Sequence, residues 1–266
     1  MRGFLATTTT PKQEPFYGTP RPPPREPSLD NPLDRCRLLL QQAAIALRDP
    51  TRADAVAAVG ELTGTTALRQ LQQVMRQDAV GRRILAERPL VQKNTIPYER
   101  LLEQAREVQQ NQTESESSIT FGQAYGQFLL QHGFDPDERD DIRFLPRTTA
   151  DEDELAYILL RYRQSHDFFH TLTGLPPTVL GELALKWLEL FQTGLPLSAL
   201  AATVGSVFTL STAEQGILRR EYLPWAVRVG QNMPFGSLIM VYYEQEWDTP
   251  LDELRARLNI EPAPVL

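Results

Sequence analysis

The sequence predicts an all-α protein of about nine or ten helices. Three observations predict this fold class. Apolar residues recur at helical spacing in most segments after Leu33, glycine or proline stands at the ends of these segments, and strand patterns do not alternate with helical ones. The stretch 238–243 has the β-branched and aromatic content of a strand, but it is short and lies between helices. We therefore expect one helical domain over residues 33–266, without internal repeats.

Residues 1–32 differ in composition from the rest of the chain. They hold eight of the 21 prolines, including the run from Pro22 to Pro24, and four consecutive threonines. No apolar segment of the signal-peptide type is present, and arginine is sparse for a mitochondrial transit segment. We expect a disordered tail with some polyproline character, and the sequence assigns it no function.

Six helices are expected in the first half of the chain, each with apolar residues at helical spacing. Asp49-Pro50, Gly64 and Gly133 mark helix ends, and Thr65 can cap the helix that follows. The expected ranges are 34–48, 51–61, 68–75, 81–87, 97–108 and 121–131.

The second half begins with a helix capped by Thr149, whose first turn holds the acidic residues 151–154. Gly174 ends this helix, and Pro177 begins the next. If these two helices fold back on each other, they form a hairpin. The expected later ranges are 177–193, 198–210, 213–230 with a kink at Pro224, and 250–258.

The overall charge and the single cysteine exclude several classes of protein. The chain has 266 residues, a net charge of −7 and 41% hydrophobic residues, as in an ordinary soluble acidic protein. It has no basic stripe with interleaved aromatics, so nucleic-acid binding is not expected. Because Cys36 is the one cysteine, an internal disulfide and a thiolate metal cluster are excluded, and a reducing compartment fits.

One uncharged run, from Leu190 to Ala213, is long enough to cross a bilayer. Gly194 and Pro196 interrupt it, and it carries several serine and threonine residues. We expect a buried helix of small residues there and no membrane span.

Two of the three histidines, His166 and His170, stand four residues apart with Asp167 between them, and eleven residues separate the second histidine from Glu182. On a helix, residues i and i+4 are neighbours on one face. In the hairpin described above, His170 and Glu182 would lie at similar heights, about 6 and 7.5 Å from the turn. The sequence therefore predicts a metal site of His166, Asp167, His170 and Glu182. Two imidazoles and two carboxylates suit zinc, manganese or ferrous iron better than magnesium.

Simpler interpretations of the same residues remain open. The histidines can be ordinary core residues with Asp167 as a hydrogen-bond partner. Glu182 can pair with Lys186, four residues later on the same helix. The motif also differs by one residue type from the HExxH of zinc hydrolases, because Asp167 stands where their general-base glutamate would be, and a metallohydrolase of that kind is a further alternative. Phosphohydrolases with a His-Asp pair need another histidine, and His132 shows no evident role.

The identities around the motif resemble the signature of the coenzyme Q biosynthesis protein 4 family, an HDxxH followed by eleven residues and a glutamate. The resemblance extends over about residues 35 to 260. The segments that carry it are His166-Asp167, Leu172, Gly174-Leu175-Pro176, Leu180-Gly181-Glu182, Lys186-Trp187, Glu189, the stretch from Asp78 to Pro89, Asp153 to Tyr157, Gln192 to Pro196, Pro224-Trp225-Ala226 and Tyr242-Tyr243-Glu244.

The resemblance implies a role in the biosynthesis of ubiquinone or another prenylated quinone. The implied reaction is a metal-dependent, lyase-type decarboxylation, with oxidation, at C1 of a polyprenylated hydroxybenzoate. Zinc is the first candidate for the single divalent ion, and Asp167 is the candidate catalytic residue. The implied partners are the prenylated precursor, other quinone-biosynthesis enzymes and a membrane surface, and a second copy of the chain is also considered. The implied location is peripheral, on the cytoplasmic face in a bacterium or the matrix face of the mitochondrial inner membrane in a eukaryote.

The competing interpretation is a non-catalytic, lipid-binding scaffold that organises a quinone-biosynthesis enzyme complex, with a structural metal. Either role needs an apolar groove for a prenyl chain, and each candidate wall residue can instead be ordinary core. The candidate wall residues are Phe169, Leu172, Val179, Leu183, Val204 and Phe208.

Overall fold

The computed structural model describes residues 32–48, 52–111, 119–138, 142–143, 145, 147–200, 202 and 209–265. This part of the chain is helical and contains no strand, which confirms the all-α class. Ten of its α-helices are eight residues or longer. The helices are α1 (Pro32–Arg48), α2 (Ala53–Thr63), α3 (Thr65–Gln77), α4 (Ala79–Glu87), α5 (Tyr98–Asn111), α6 (Phe121–His132), α7 (Ala150–Thr173), α8 (Val179–Thr193), α9 (Pro196–Leu200), α10 (Thr212–Ile217), α11 (Leu223–Asn232) and α12 (Leu251–Leu258).

The predicted tail lies outside the described residues, apart from Pro32 at the start of α1. The division into a tail and a domain at residue 33 therefore stays a prediction. Most of the predicted helix 198–210 also lies outside them, and α9 begins two residues before its predicted start.

Local signals set the ends of the helices near the centre of the fold. Thr149 forms a capping box with Glu152 at the start of α7, as its position in the sequence predicts. Gly174 ends α7 in the left-handed conformation, with φ +72°. Gly133 ends α6 in the same way, with φ +68°. Only glycine adopts this conformation without a steric cost from Cβ.

Two differences from the predicted helices have identifiable local causes. Helix α8 begins at Val179 and not at Pro177, because Thr178 is extended and its side chain accepts a hydrogen bond from the amide of Gly181 at 3.2 Å. The predicted helix 213–230 is interrupted by a π-helical turn over Leu218–Tyr222. Pro224 lies just after that turn. Because proline has no N–H, it cannot donate the α-helical hydrogen bond, and the helix accommodates this with the wider π turn before it.

The stretch 238–243 is not a strand. It forms turns that lead into a short 3₁₀ helix, Tyr243–Gln245. Its apolar residues serve the core instead, since Leu238, Ile239 and Tyr243 are fully buried. The β-branched and aromatic content therefore reflects burial rather than a sheet.

Helix α7 is the central element of the fold. From Leu155 to Thr173 all its residues are buried except Leu160 and Arg163, which are partly buried. Phe168 of this helix packs in an aromatic cluster with residues of α6 and of the segment before α12. The ring centroids lie 4.7 to 5.8 Å from that of Phe168, and the residues are Phe121, Tyr125, Tyr243 and Trp247. A helix buried on every side surrounds its polar residues with protein, so those residues need partners within the fold.

The link between α7 and α8 is tightly packed. A Cβ added to Gly181 would lie 2.0 Å from the carbonyl oxygen of Pro176, so only glycine allows the start of α8 to approach this link so closely. No helix in the described ranges combines the length and the apolar character that crossing a bilayer requires.

Candidate metal centre

Three polar side chains meet in the interior between α7 and α8. His166 and His170 come from α7, and Glu182 comes from the first turn of α8. Glu182 Oε2 lies 3.1 Å from His166 Nε2, and Glu182 Oε1 lies 3.1 Å from His170 Nε2. The three side chains each offer a ligand atom within 4.8 Å of the other two, and their residues are only 4%, 1% and 5% exposed.

The course of the chain explains why these residues meet. The side-chain contacts join Tyr162 to Glu189, His166 to both Glu189 and Glu182, and His170 to Glu182. Residue numbers rise along α7 as they fall along α8, so the two helices run in opposite directions. Glu182 reaches both histidines across this pair of helices, with one carboxylate oxygen 3.1 Å from each.

Each imidazole is oriented by a hydrogen bond at Nδ1, the ring nitrogen that faces away from Glu182. His170 Nδ1 lies 2.9 Å from the carbonyl oxygen of Leu175, and His166 Nδ1 lies 2.7 Å from Glu189 Oε1. A carbonyl oxygen and an ionised carboxylate only accept, so both Nδ1 atoms donate. Both rings therefore present Nε2 to Glu182, which is the orientation of metal-ligating histidines.

The charges in the centre reinforce one another. Burial raises the pKa of Glu182, but the two histidines outweigh that effect and hold this pKa well below its usual range. Burial and the Lys186 ammonium lower the pKa of His166, yet the carboxylates of Glu182 and Glu189 outweigh them and raise it. The interior thus favours a positive charge between Glu182 and the imidazoles, a role that a proton or a metal cation can fill.

Asp167, the fourth predicted ligand, is buried but does not join the three-residue cluster. Its carboxylate acts on His132 at the end of α6: burial and His170 lower the pKa of His132, and Asp167 opposes them. Phe128 links the two histidines, since its ring stacks on His170 at 5.5 Å and lies 4.9 Å from His132. The chain's three histidines therefore share one region, which spacing along the sequence did not reveal for His132.

The suggested pairing of Glu182 with Lys186 does not form. Lys186 Nζ instead lies 2.7 Å from Glu189 Oε2, while Glu182 contacts the histidines. The motif did not single out Glu189 as a residue of the site, although the sequence carries one signal for it. Glu189 stands seven residues after Glu182, which is two turns along the same face of α8.

The candidate lipid-binding residues pack into the main hydrophobic core. Phe169, Leu172 and Leu183 are buried there, and Val179 is partly buried against them. Val204 and Phe208 lie outside the described residues. A role for any of them in binding a prenyl chain stays a prediction.

Comparison with protein families matches residues 28–264 to the coenzyme Q (ubiquinone) biosynthesis protein Coq4. Among similar proteins is the mitochondrial ubiquinone biosynthesis protein COQ4 homologue of Nematostella vectensis, 41% identical over 225 residues, which are 82% of this chain and 97% of that one. The Mus musculus homologue is 39% identical over 233 residues, covering 88% of this chain and 80% of its own length. The Homo sapiens homologue is 38% identical over 235 residues, with 88% and 81% covered.

A solved structure shares the fold. The crystal structure of a proposed ubiquinone biosynthesis protein from Nostoc punctiforme superposes with a TM-score of 0.60 and covers 86% of this chain and 97% of that one. The two sequences are 20% identical, so the likeness concerns the arrangement of helices.

Proposed function

This chain belongs to the Coq4 family of ubiquinone biosynthesis proteins, and we propose that it carries out a metal-dependent step on the quinone head group. The step is decarboxylation, with oxidation, at C1 of a polyprenylated hydroxybenzoate. The observation that carries the proposal is the convergence of His166 Nε2, His170 Nε2 and the Glu182 carboxylate in a buried cluster.

The chemistry of these donors fits a divalent transition metal. Two neutral imidazole nitrogens and one carboxylate oxygen suit zinc first, and manganese or ferrous iron as alternatives. Three protein ligands leave a coordination position for substrate, whereas Asp167 as a fourth ligand would close the set. The three-residue cluster therefore supports an open, catalytic site over a closed, structural one.

A divalent cation bound there would supply Lewis-acid stabilisation of the substrate's carboxylate and phenolate oxygens. The protein's own residues do the rest. His166 and His170 present Nε2 in one direction because both Nδ1 atoms are engaged, and the surrounding core excludes water. The buried carboxylate of Asp167 acts beside His132 and His170, where it would tune the charge of the site. Oxidation at C1 needs an external oxidant, either oxygen or another pathway component.

The substrate implies where the protein works. A polyprenylated ring is too apolar for water, and none of the described helices spans a bilayer. Peripheral attachment to a membrane satisfies both conditions. The homologues of Nematostella vectensis and Mus musculus are described as mitochondrial proteins. This favours a location on the matrix face of the inner membrane, beside other enzymes of quinone synthesis.

The burial of the cluster favours a second candidate, a lipid-binding scaffold with a structural metal. His170 and Glu182 are only 1% and 5% exposed, as ligands of a structural site often are. In that case the metal contributes to folding, and the protein organises other enzymes without performing chemistry.

Asp167→Asn separates the two candidates, because asparagine keeps the shape but removes the charge. If the protein is an enzyme, the variant keeps its melting temperature and still binds its partners, but cells that rely on it accumulate a prenylated ring that bears the C1 carboxylate. If the protein is a scaffold, the variant's melting temperature, its binding of partners and the cellular quinone level all decrease together. Measuring the variant's melting temperature, its metal content and the prenylated intermediates in these cells distinguishes the two candidates. A folded variant with normal quinone levels would contradict a catalytic role for Asp167.

A further inference from the structure

Behind His166, on the side away from Glu182, lies a second polar cluster centred on Glu189. Glu189 is fully buried on α8 and is not among the proposed ligands. Its carboxylate is shared by four donors, which come from α7, α8 and the start of α9: Tyr162, His166, Lys186 and Ser198.

The two oxygens of Glu189 have separate tasks. Oε1 accepts from His166 Nδ1 at 2.7 Å. Oε2 accepts from the Tyr162 hydroxyl, from Lys186 Nζ at 2.7 Å and from the Ser198 hydroxyl at 3.4 Å. One oxygen therefore holds the imidazole, and the other is held by the surrounding protein.

We propose that Glu189 is the positioning residue of the metal centre: it fixes the tautomer and direction of His166, and Tyr162, Lys186 and Ser198 hold its carboxylate in place. This inference rests on the proposed function, because it assumes that His166 Nε2 binds the cation. Glu189 is then a buried charge that orients a ligand without binding the cation itself.

The Nδ1 atoms of the two histidines donate to different acceptors, and this affects how strongly each Nε2 can bind a cation. A neutral backbone carbonyl, that of Leu175, fixes His170, whereas an ionised carboxylate fixes His166. A carboxylate on Nδ1–H makes the opposite nitrogen a stronger electron donor than a carbonyl does. We therefore assign His166 as the stronger ligand of the pair, and its strength depends on Glu189.

A purely structural ion pair would not need this arrangement. Lys186 and Glu189 already balance each other's charge through Oε2. Burying a carboxylate carries a desolvation cost even when it is paired. The contact of Oε1 with His166 gives the buried charge a task at the metal centre.

The test compares Glu189→Gln with Glu244→Gln in the full chain. Glu244 is a partly buried carboxylate, 12% exposed, whose ion pair is with the buried Arg161 and not with a residue of the metal centre. For each protein we would measure the zinc Kd by competition with a chelator, the absorption spectrum of the cobalt(II) form, and the melting temperature of the metal-free form. The first two readouts report on the ligands, and the third reports on folding.

We expect Glu189→Gln to bind one zinc ion with a Kd raised about 10- to 100-fold and with an altered cobalt spectrum. Glu244→Gln should lower the melting temperature while leaving the Kd and the spectrum unchanged. Tyr162→Phe removes one donor to Oε2 and should raise the Kd by a smaller factor than Glu189→Gln.

Wild-type Kd and spectrum in Glu189→Gln would overturn the inference while leaving the proposed metal site intact. If Glu189→Gln does not fold, Tyr162→Phe decides, and unchanged metal binding in that variant overturns it. A wild-type protein that binds no stoichiometric zinc or cobalt would instead refute the proposed metal site, and the role of Glu189 with it.

Discussion

The imidazole of His170 donates a hydrogen bond to the carbonyl oxygen of Leu175, 2.9 Å away, so the first residue after the helix-ending glycine orients a proposed metal ligand. Gly174 makes this contact possible, because its left-handed backbone turns the chain back over the end of α7. The end of a helix and the orientation of a functional side chain are therefore set by the same turn.

Gly174→Ala should weaken metal binding through this turn. Alanine in a left-handed conformation costs about 1 kcal/mol, and any shift of the turn moves the Leu175 carbonyl away from His170. Gly133→Ala is a matched control, because Gly133 also has a positive φ and open space around its missing Cβ. We expect similar losses in the free energy of unfolding for both variants, measured by denaturant titration, but a raised zinc Kd only for Gly174→Ala. An equal Kd in the two variants would contradict the role of the turn.

Removal of a single ligand should abolish or severely weaken metal binding. We expect His166→Ala and His170→Ala to lose stoichiometric divalent metal, and Glu182→Ala to retain it weakly, because each change removes one of three converging donors. Elemental analysis of the purified proteins measures this. His132→Ala is the control that should keep its metal, since His132 lies outside the cluster. Full metal content in His170→Ala would refute the assignment.

The metal-free protein should lose the stabilising effect of Glu189 in acid. Burial raises the pKa of Glu189, but Lys186 and His166 outweigh this effect and lower the pKa from its ordinary 4.5 to about 2. A lowered pKa stabilises the fold at pH above 4.5, and this contribution disappears as the pH falls toward about 2. The difference in unfolding free energy between wild type and Glu189→Gln should therefore shrink as the pH falls from 4.5 toward about 2. A difference that does not change between these pH values would contradict the lowered pKa.

Membrane attachment should be reversible. Because no described helix spans a bilayer, carbonate or high-salt washing of membranes should release the protein into the supernatant. Immunoblotting of the washed fractions measures the release, with a known spanning protein of the same membrane as the control. Extraction by detergent alone would contradict peripheral attachment.

Local chemistry in the sequence determined much of the fold. Thr149 and Gly174 mark the ends of α7 because a cap or a left-handed residue acts within a few neighbours of its own position. The spacing of His166 and His170 places them on one helical face for the same reason. The turns at 238–243 differ from the strand-like pattern of their residues because burial in the core outweighs that pattern.

Only the tertiary structure decided which side chains share the site. The sequence allowed Lys186 to pair with Glu182, but the approach of α7 gives Glu182 to the histidines and Lys186 to Glu189. The same packing brings His132 of α6 beside Asp167 and His170. These partners are chosen by the rotation and separation of helices that are distant in sequence, which depend on how the whole core packs, and a one-dimensional pattern does not specify them.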